Sequence, residues 1–329
     1  MKKFLIILYA ILNLIGNASS AVADLQQSDC LLKASANQVV SLGSPLPAER
    51  LGNRTKVRIG VLPFAFTDLT SKELSDVEKS DYLLAVSKIE ELSNNNVKIE
   101  ISFLPSINSG IISFEFRNIY STRNDGWNEK DLNKSTWGFA KQTILKADAK
   151  VDFSRYDGII LEGPNTDTSF YIAEAMGFYR GSQGNVFRSA NLEFFKSVVT
   201  GEGVIDNAIL LDTHKNSTTI AHEILHNFGL THLYGSGTGP GYTSIMANGG
   251  FNLLNYEKAV LGWFPIGSFK CASLSNYLDK SRAVNTFDIS NFEKDSIFLL
   301  KIDDYNAYVI ETKQDAGVSV LLVYLLEQE

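Results

Sequence analysis

Histidine is scarce in this chain of 329 residues: there are four. Methionine numbers three, and cysteine only two, at the distant positions Cys30 and Cys271. Two remote cysteines do not fit a structural zinc site, which wants four protein ligands and usually draws on cysteine. Positive charge is also in deficit. Thirty Lys and Arg residues face 37 Asp and Glu, for a net charge of −7 and a pI near 5.3. That balance speaks against nucleic acid or an anionic membrane surface as the main partner. The N-terminal apolar run, residues 4–15, falls short of the roughly 20 residues that a membrane span needs, so no stable membrane insertion is expected. No internal repeat or low-complexity tract is present. What remains is ordinary globular composition, 44% hydrophobic and 20% charged, enough for one large domain or two small ones.

Residues 1–23 read as a signal peptide. Lys2 and Lys3 form a basic start, the apolar run follows, and Ala21-Val22-Ala23 is an A-x-A cleavage site. A mature chain beginning at Asp24 would be secreted, extracellular or periplasmic. Losing the two lysines takes the net charge from −7 to −9. Ser28 and Asp29 precede Cys30 where a lipoprotein signal would place small apolar residues. Export permits a disulfide, with Cys30 and Cys271 as the candidate pair and free thiols as the alternative.

Three of the four histidines lie in residues 222–232, which read His-Glu-Ile-Leu-His-Asn-Phe-Gly-Leu-Thr-His. His222 and His226 are four apart, so a helix places them on one face. Two imidazoles so placed can share a metal ion about 2.0–2.1 Å from each nitrogen. Glu223 then projects beside the first ligand, within reach of a water on that ion. Gly229 tolerates the positive φ that ends a helix and turns the chain, and the turn can bring His232 round as a third ligand. A chance match to these five positions is on the order of 10⁻⁶ to 10⁻⁵. Three neutral imidazoles leave a fourth zinc position open, the pattern of a catalytic rather than a structural site.

The pattern H-E-x-x-H-x-x-G-x-x-H resembles the signature of the metzincin zinc metalloproteases. Ser244-Ile245-Met246-Ala247 resembles the methionine-containing turn beneath the zinc in that family, with Met246 as an apolar floor. Residues 261–265, Leu-Gly-Trp-Phe-Pro, resemble the stretch after that turn in immune-inhibitor-A-like and gametolysin-like secreted peptidases. The resemblance implies one catalytic zinc on His222, His226 and His232, with Glu223 as the proton carrier and peptides or proteins as substrates. It also raises a rival role for Cys30, as a propeptide thiolate on the zinc, although Ser-Asp-Cys-Leu-Leu lacks the motif of those propeptides. In several family members a tyrosine lies two residues after the methionine, and here that residue is Asn248. A zinc-bearing binding or adhesion module without turnover is therefore the competing reading. A hydrolase acting on another bond, such as an amide of cell-wall material, is a third. Asp303 and Asp304 are candidate calcium ligands, but a solvated turn fits them better because regular ligand spacing is absent. His214 reads as a surface residue, and Tyr234 and Tyr242 as loop residues. The oligomeric state is not legible.

Periodicity predicts an α+β fold. Residues 24–54 read as an N-terminal extension or short propeptide without regular structure. Val57, Ile59 and Val61 alternate in a strand ending at Pro63. Residues 73–93 and 133–150 have helical spacing, and residues 97–103 and 156–161 read as strands. Residues 208–211 form another buried run, followed by the His222 helix with Asn216 or Ser217 as its cap. Residues 234–242 are a glycine-rich loop with no Lys-Ser/Thr pair to make a phosphate cradle, and residues 255–261 form a short helix. The metzincin resemblance implies a twisted mixed sheet with two backing helices over residues 55–265, and a β-rich segment over 266–329. It also implies an edge strand over the cleft, which residues 178–190 are expected to supply.

Overall fold

The first strand, β1 (Lys56–Ala65), is buried at every position from Ile59 onward because it lies between two neighbours. The structure, a computed structural model, describes residues 30–34, 40–69, 73–113, 136–164, 172–177, 197–212, 216–233, 243–247, 250–265, 268–274, 296–315 and 318–327. The expected signal peptide, the edge strand at 178–190 and the loop 234–242 lie outside these residues.

After β1 come helix α1 (Asp76–Leu92), strand β2 (Lys98–Phe103) and the short β3 (Ile107–Asn108). Ser75 caps α1 in a reciprocal box with Glu78, which pairs two otherwise orphaned N–H groups. Helix α2 (Thr136–Ala147), β4 (Gly158–Glu162), β5 (Ile172–Gly177), the small pair β6 (Val198–Val199) and β7 (Val204–Ile205), and β8 (Asn207–Asp212) follow. The main sheet has the order β2-β1-β4-β8-β5, with β3 continuing the β1 edge beyond β2. The pairings among β2, β1, β4 and β8 are parallel, and β5 runs antiparallel on β8. The fold is thus α+β around a mostly parallel sheet.

The strand β1 runs two residues past Pro63, where the sequence suggested an end. Its pairing with β2 stops at Val61 and that with β3 starts at Phe64. The N–H that proline lacks falls in that gap, so no ladder bond is lost.

Alternation along the strands builds two cores. Val57, Ile59 and Val61 join Ile160, Ile209 and Leu211 on one face, against Tyr82, Ala85, Val86 and Ile89 of α1. Leu62, Phe64, Ile159, Leu161 and Leu210 face the other way, onto Phe139, Ala140 and Ile144 of α2. At the start of β4, Asp157 accepts the Arg58 backbone N–H at 2.8 Å and the Arg54 guanidinium at 2.7 Å. Burial pushes the Asp157 carboxyl up, but the Arg58 bonds and the Arg54 charge outweigh it and hold it below its ordinary value. A carboxyl lowered in the folded state stabilises above its unfolded pKa and loses that contribution as pH falls through the folded value. Asp157→Asn is therefore expected to cost about 1–3 kcal/mol at pH 7. The variant's stability should fall less steeply than that of the wild type below about pH 4, as denaturant titration at several pH values would read.

Residues 30–34 and 40–54 do more than precede the sheet. Leu32, Leu42, Leu46 and Leu51 are buried in the α1-side core, and a 3-10 turn, Leu51–Asn53, stands where no regular structure was expected. The guanidinium of Arg50 is buried and donates to the Asp206 carbonyl at 3.0 Å. Cys30 and Cys271 are joined in a disulfide across 241 residues, a closure that contributes on the order of 2–5 kcal/mol. Cys30 is thus committed to Cys271 and is not a thiolate held over the histidines.

The last part of the chain begins with helix α3 (Ser217–Phe228) and α4 (Asn255–Val260). Strands β9 (Phe269–Ser273), β10 (Ile297–Lys301), β11 (Asn306–Asp315) and β12 (Val318–Glu327) form a second sheet in the order β12-β11-β10-β9. Leu299, Val309 and Leu326 of this sheet share one continuous core with α3 and the 30–54 segment. Among the described residues, no helix is long and apolar enough to cross a membrane.

Candidate metal centre

Asn216 caps α3, its side chain accepting the Thr219 N–H at 2.9 Å. The helix lies against α1, β5 and β8. Every residue from Ile220 to Phe228 is buried, including His222, Glu223 and His226. Four-residue spacing puts the two imidazoles on one face, edge to face with ring centroids 4.7 Å apart.

Gly229 ends the helix at φ +115°, ψ 2°. Its N–H donates to the His226 carbonyl at 2.9 Å, and the Leu230 N–H reaches back to Leu225 at 3.2 Å. The reversal places His232 against the other two rings. A Cβ at Gly229 would stand 3.0 Å from Leu46 Cδ2 and 3.4 Å from Arg50 Cγ. Gly229→Ala thus meets both an unfavourable φ and a filled space. It is expected to cost about 1–3 kcal/mol and to weaken metal binding, as thermal melts with and without added zinc would measure.

The three Nε2 atoms converge. They lie 3.1 Å apart for His222–His226, 2.9 Å for His226–His232 and 3.2 Å for His232–His222. The other ring nitrogens fix the tautomers of the first two. His222 Nδ1 sits 2.8 Å from the Ile245 carbonyl and His226 Nδ1 2.7 Å from the Leu230 carbonyl. A carbonyl can only accept, so each Nδ1 carries the proton and donates it. Each Nε2 is then a bare lone pair aimed at its neighbour, a repulsive arrangement that a cation between them resolves. Three ring nitrogens this close can be shared by one metal ion. The donor set therefore fits a metal ion, and the neutral imidazoles suit a borderline-soft divalent ion such as zinc.

Burial pushes all three imidazoles below their ordinary range. For His226, repulsion from His232 and His222 adds to the burial and drives it furthest. His232 is lowered to about 4, by burial first and then by His222. Its side chain is solvent-exposed as a whole, but its inner edge faces the other two rings. All three are thus neutral and able to ligate at pH 7.

Met246 lies fully buried in the 3-10 turn Ile245–Ala247. This turn touches the centre twice. The Ile245 carbonyl holds His222, and the Met246 carbonyl accepts the N–H of Leu233, the residue after His232, at 2.9 Å. These carbonyl supports carried no mark in the sequence, because any residue type supplies a carbonyl.

The structure thus brings His222, His226 and His232 together, with Glu223 buried on the same helix and Met246 close by. Among the described residues these histidines are the one group of three or more side chains placed to share a metal. Asp303 and Asp304 are engaged otherwise. Asp303 accepts the backbone N–H groups of Tyr305 and Asn306, and Asp304 pairs with Lys33 at 2.6 Å. His214, Tyr234, Tyr242 and Asn248 lie outside the described residues. Among the described residues, the strand at the sheet edge beside α3 is β5, for which the sequence carried no expectation. The chain matches no family model, and no curated protein matches it.

Proposed function

We propose that this protein is an exported zinc-dependent endopeptidase of metzincin type. The observation that carries the reading is the convergence of three Nε2 atoms within 3.2 Å of one another, with Glu223 on the same helix. Supporting it are the glycine turn that delivers His232, the Met246 turn packed against the histidines, and an antiparallel strand, β5, that lies beside α3 at the sheet edge among the described residues.

A bound zinc ion supplies a Lewis acid and lowers the pKa of a water toward about 7. The residues of the chain do the rest. His222, His226 and His232 hold the ion through Nε2, with the Ile245 and Leu230 carbonyls keeping the first two in the ligating tautomer. The Glu223 carboxylate takes the proton of the attacking water and passes it to the nitrogen of the departing amine. Burial of α3 keeps bulk water from competing for that proton. The edge of β5 would align an extended peptide as an added strand, main chain to main chain.

Purified mature protein is expected to cleave an unstructured protein such as casein and to stop when a chelator removes the metal. Stoichiometric zinc with no cleavage across a broad peptide library would favour a zinc-bearing binding module instead. Cleavage confined to non-peptide amides would favour the other hydrolase reading.

A further inference from the structure

The metal turn is held from behind by groups that none of the chemistry above uses. Glu257, on α4, is fully buried. Its Oε2 accepts the Ser244 hydroxyl at 2.8 Å and the Leu254 N–H at 2.7 Å. Ser244 is also fully buried, and its Oγ in turn accepts the Met246 N–H at 3.0 Å. One oxygen of Glu257 thus closes the loop from residue 244 to residue 254, and one hydroxyl fixes the turn inside it. That turn presents the Ile245 carbonyl to His222 Nδ1 and the Met246 carbonyl to the N–H beside His232. The helix bearing Glu257 is itself fastened to the second sheet. The Tyr256 N–H donates to the buried Glu311 at 3.2 Å, and Asn255 Nδ2 donates to the Thr312 carbonyl at 3.1 Å.

We propose that Glu257 and Ser244 are positioning residues of the metal centre. They lock the 244–247 turn so that its two carbonyls hold His222 and the segment bearing His232 in ligating geometry, and the C-terminal sheet buttresses α4 for this purpose. The inference rests on the zinc reading above. The physical reason is that a buried carboxylate with two directed donors defines one position for the turn. An apolar contact would leave the turn free to shift, and a shift of a few tenths of an ångström lengthens the bond that orients His222. Outer-sphere supports of this kind affect metal affinity about 10–100-fold when removed.

The test uses zinc affinity by chelator competition, the absorption spectrum of the cobalt-substituted protein, and the melting temperature of the metal-free protein. Ser244→Ala is expected to bind zinc about 10–100-fold more weakly and to shift the cobalt bands. Glu257→Leu should do the same. Glu257→Gln, which keeps an acceptor oxygen for both bonds, should bind zinc within a few-fold of wild type. If Glu257→Leu fails to fold, Ser244→Ala and Glu257→Gln still decide the matter. Wild-type zinc affinity and an unchanged cobalt spectrum in Ser244→Ala would overturn the proposal, even if its melting temperature drops, because the role would then be structural alone. A wild-type protein that binds no zinc would instead remove the metal reading on which the proposal stands, so the two failures are distinct.

Discussion

Glu223→Ala is expected to retain one equivalent of zinc and to lose peptide hydrolysis by about 10²–10⁴-fold or more. The two halves of this result have separate causes. The metal would be held by three Nε2 atoms, two of them in tautomers set by the Ile245 and Leu230 carbonyls, and Glu223 belongs to neither support. Removing its carboxylate therefore leaves the donor set intact. The chemistry suffers because a water at neutral pH and a departing amine both need a proton carrier. Glu223 is the one acid of α3, next to His222 in the chain, and it is buried like His222 and His226. Glu223→Gln should behave alike, since an amide has the shape but not the basicity. Undiminished cleavage by either variant would remove Glu223 from the mechanism.

His226→Ala is expected to abolish stoichiometric zinc binding and all activity with it. His226 is the centre of the trio, with its Nε2 3.1 Å from that of His222 and 2.9 Å from that of His232. Its Nδ1 also donates to Leu230, inside the reversal that carries the third ligand. Alanine therefore deletes one ligand and slackens the placement of another. The loss should exceed the roughly 100-fold upper range of an outer-sphere change, and dialysed protein should hold well under one equivalent. Full retention of zinc would mean that the ion sits elsewhere.

The convergence of the three histidines was legible because its signal is local. Scarce histidines at fixed offsets, with a glycine between the second and third, need only a helix and a turn to converge, and α3 and Gly229 supply both. The central strands were legible from apolar runs, since β1, β4 and β8 are buried on two faces. Strand β5 was not. Residues 172–177 read Ile-Ala-Glu-Ala-Met-Gly, a composition rich in helix formers, and only pairing with β8 makes them extended. The 30–54 segment was illegible for another reason. Leu32, Leu42, Leu46 and Leu51 have no common period, and their burial comes from surfaces far along the chain. Glu257 and Glu311 carry no distinguishing mark in the sequence, yet both are fully buried. A buried acid is recognisable only once its donors are known.

The most direct test is metal analysis of the purified protein together with metal-edge anomalous diffraction from its crystals. One zinc per chain is expected, bonded to Nε2 of His222, His226 and His232 about 2.0–2.1 Å away. A chain that binds no metal, or holds it at a place these three nitrogens do not reach, would contradict it.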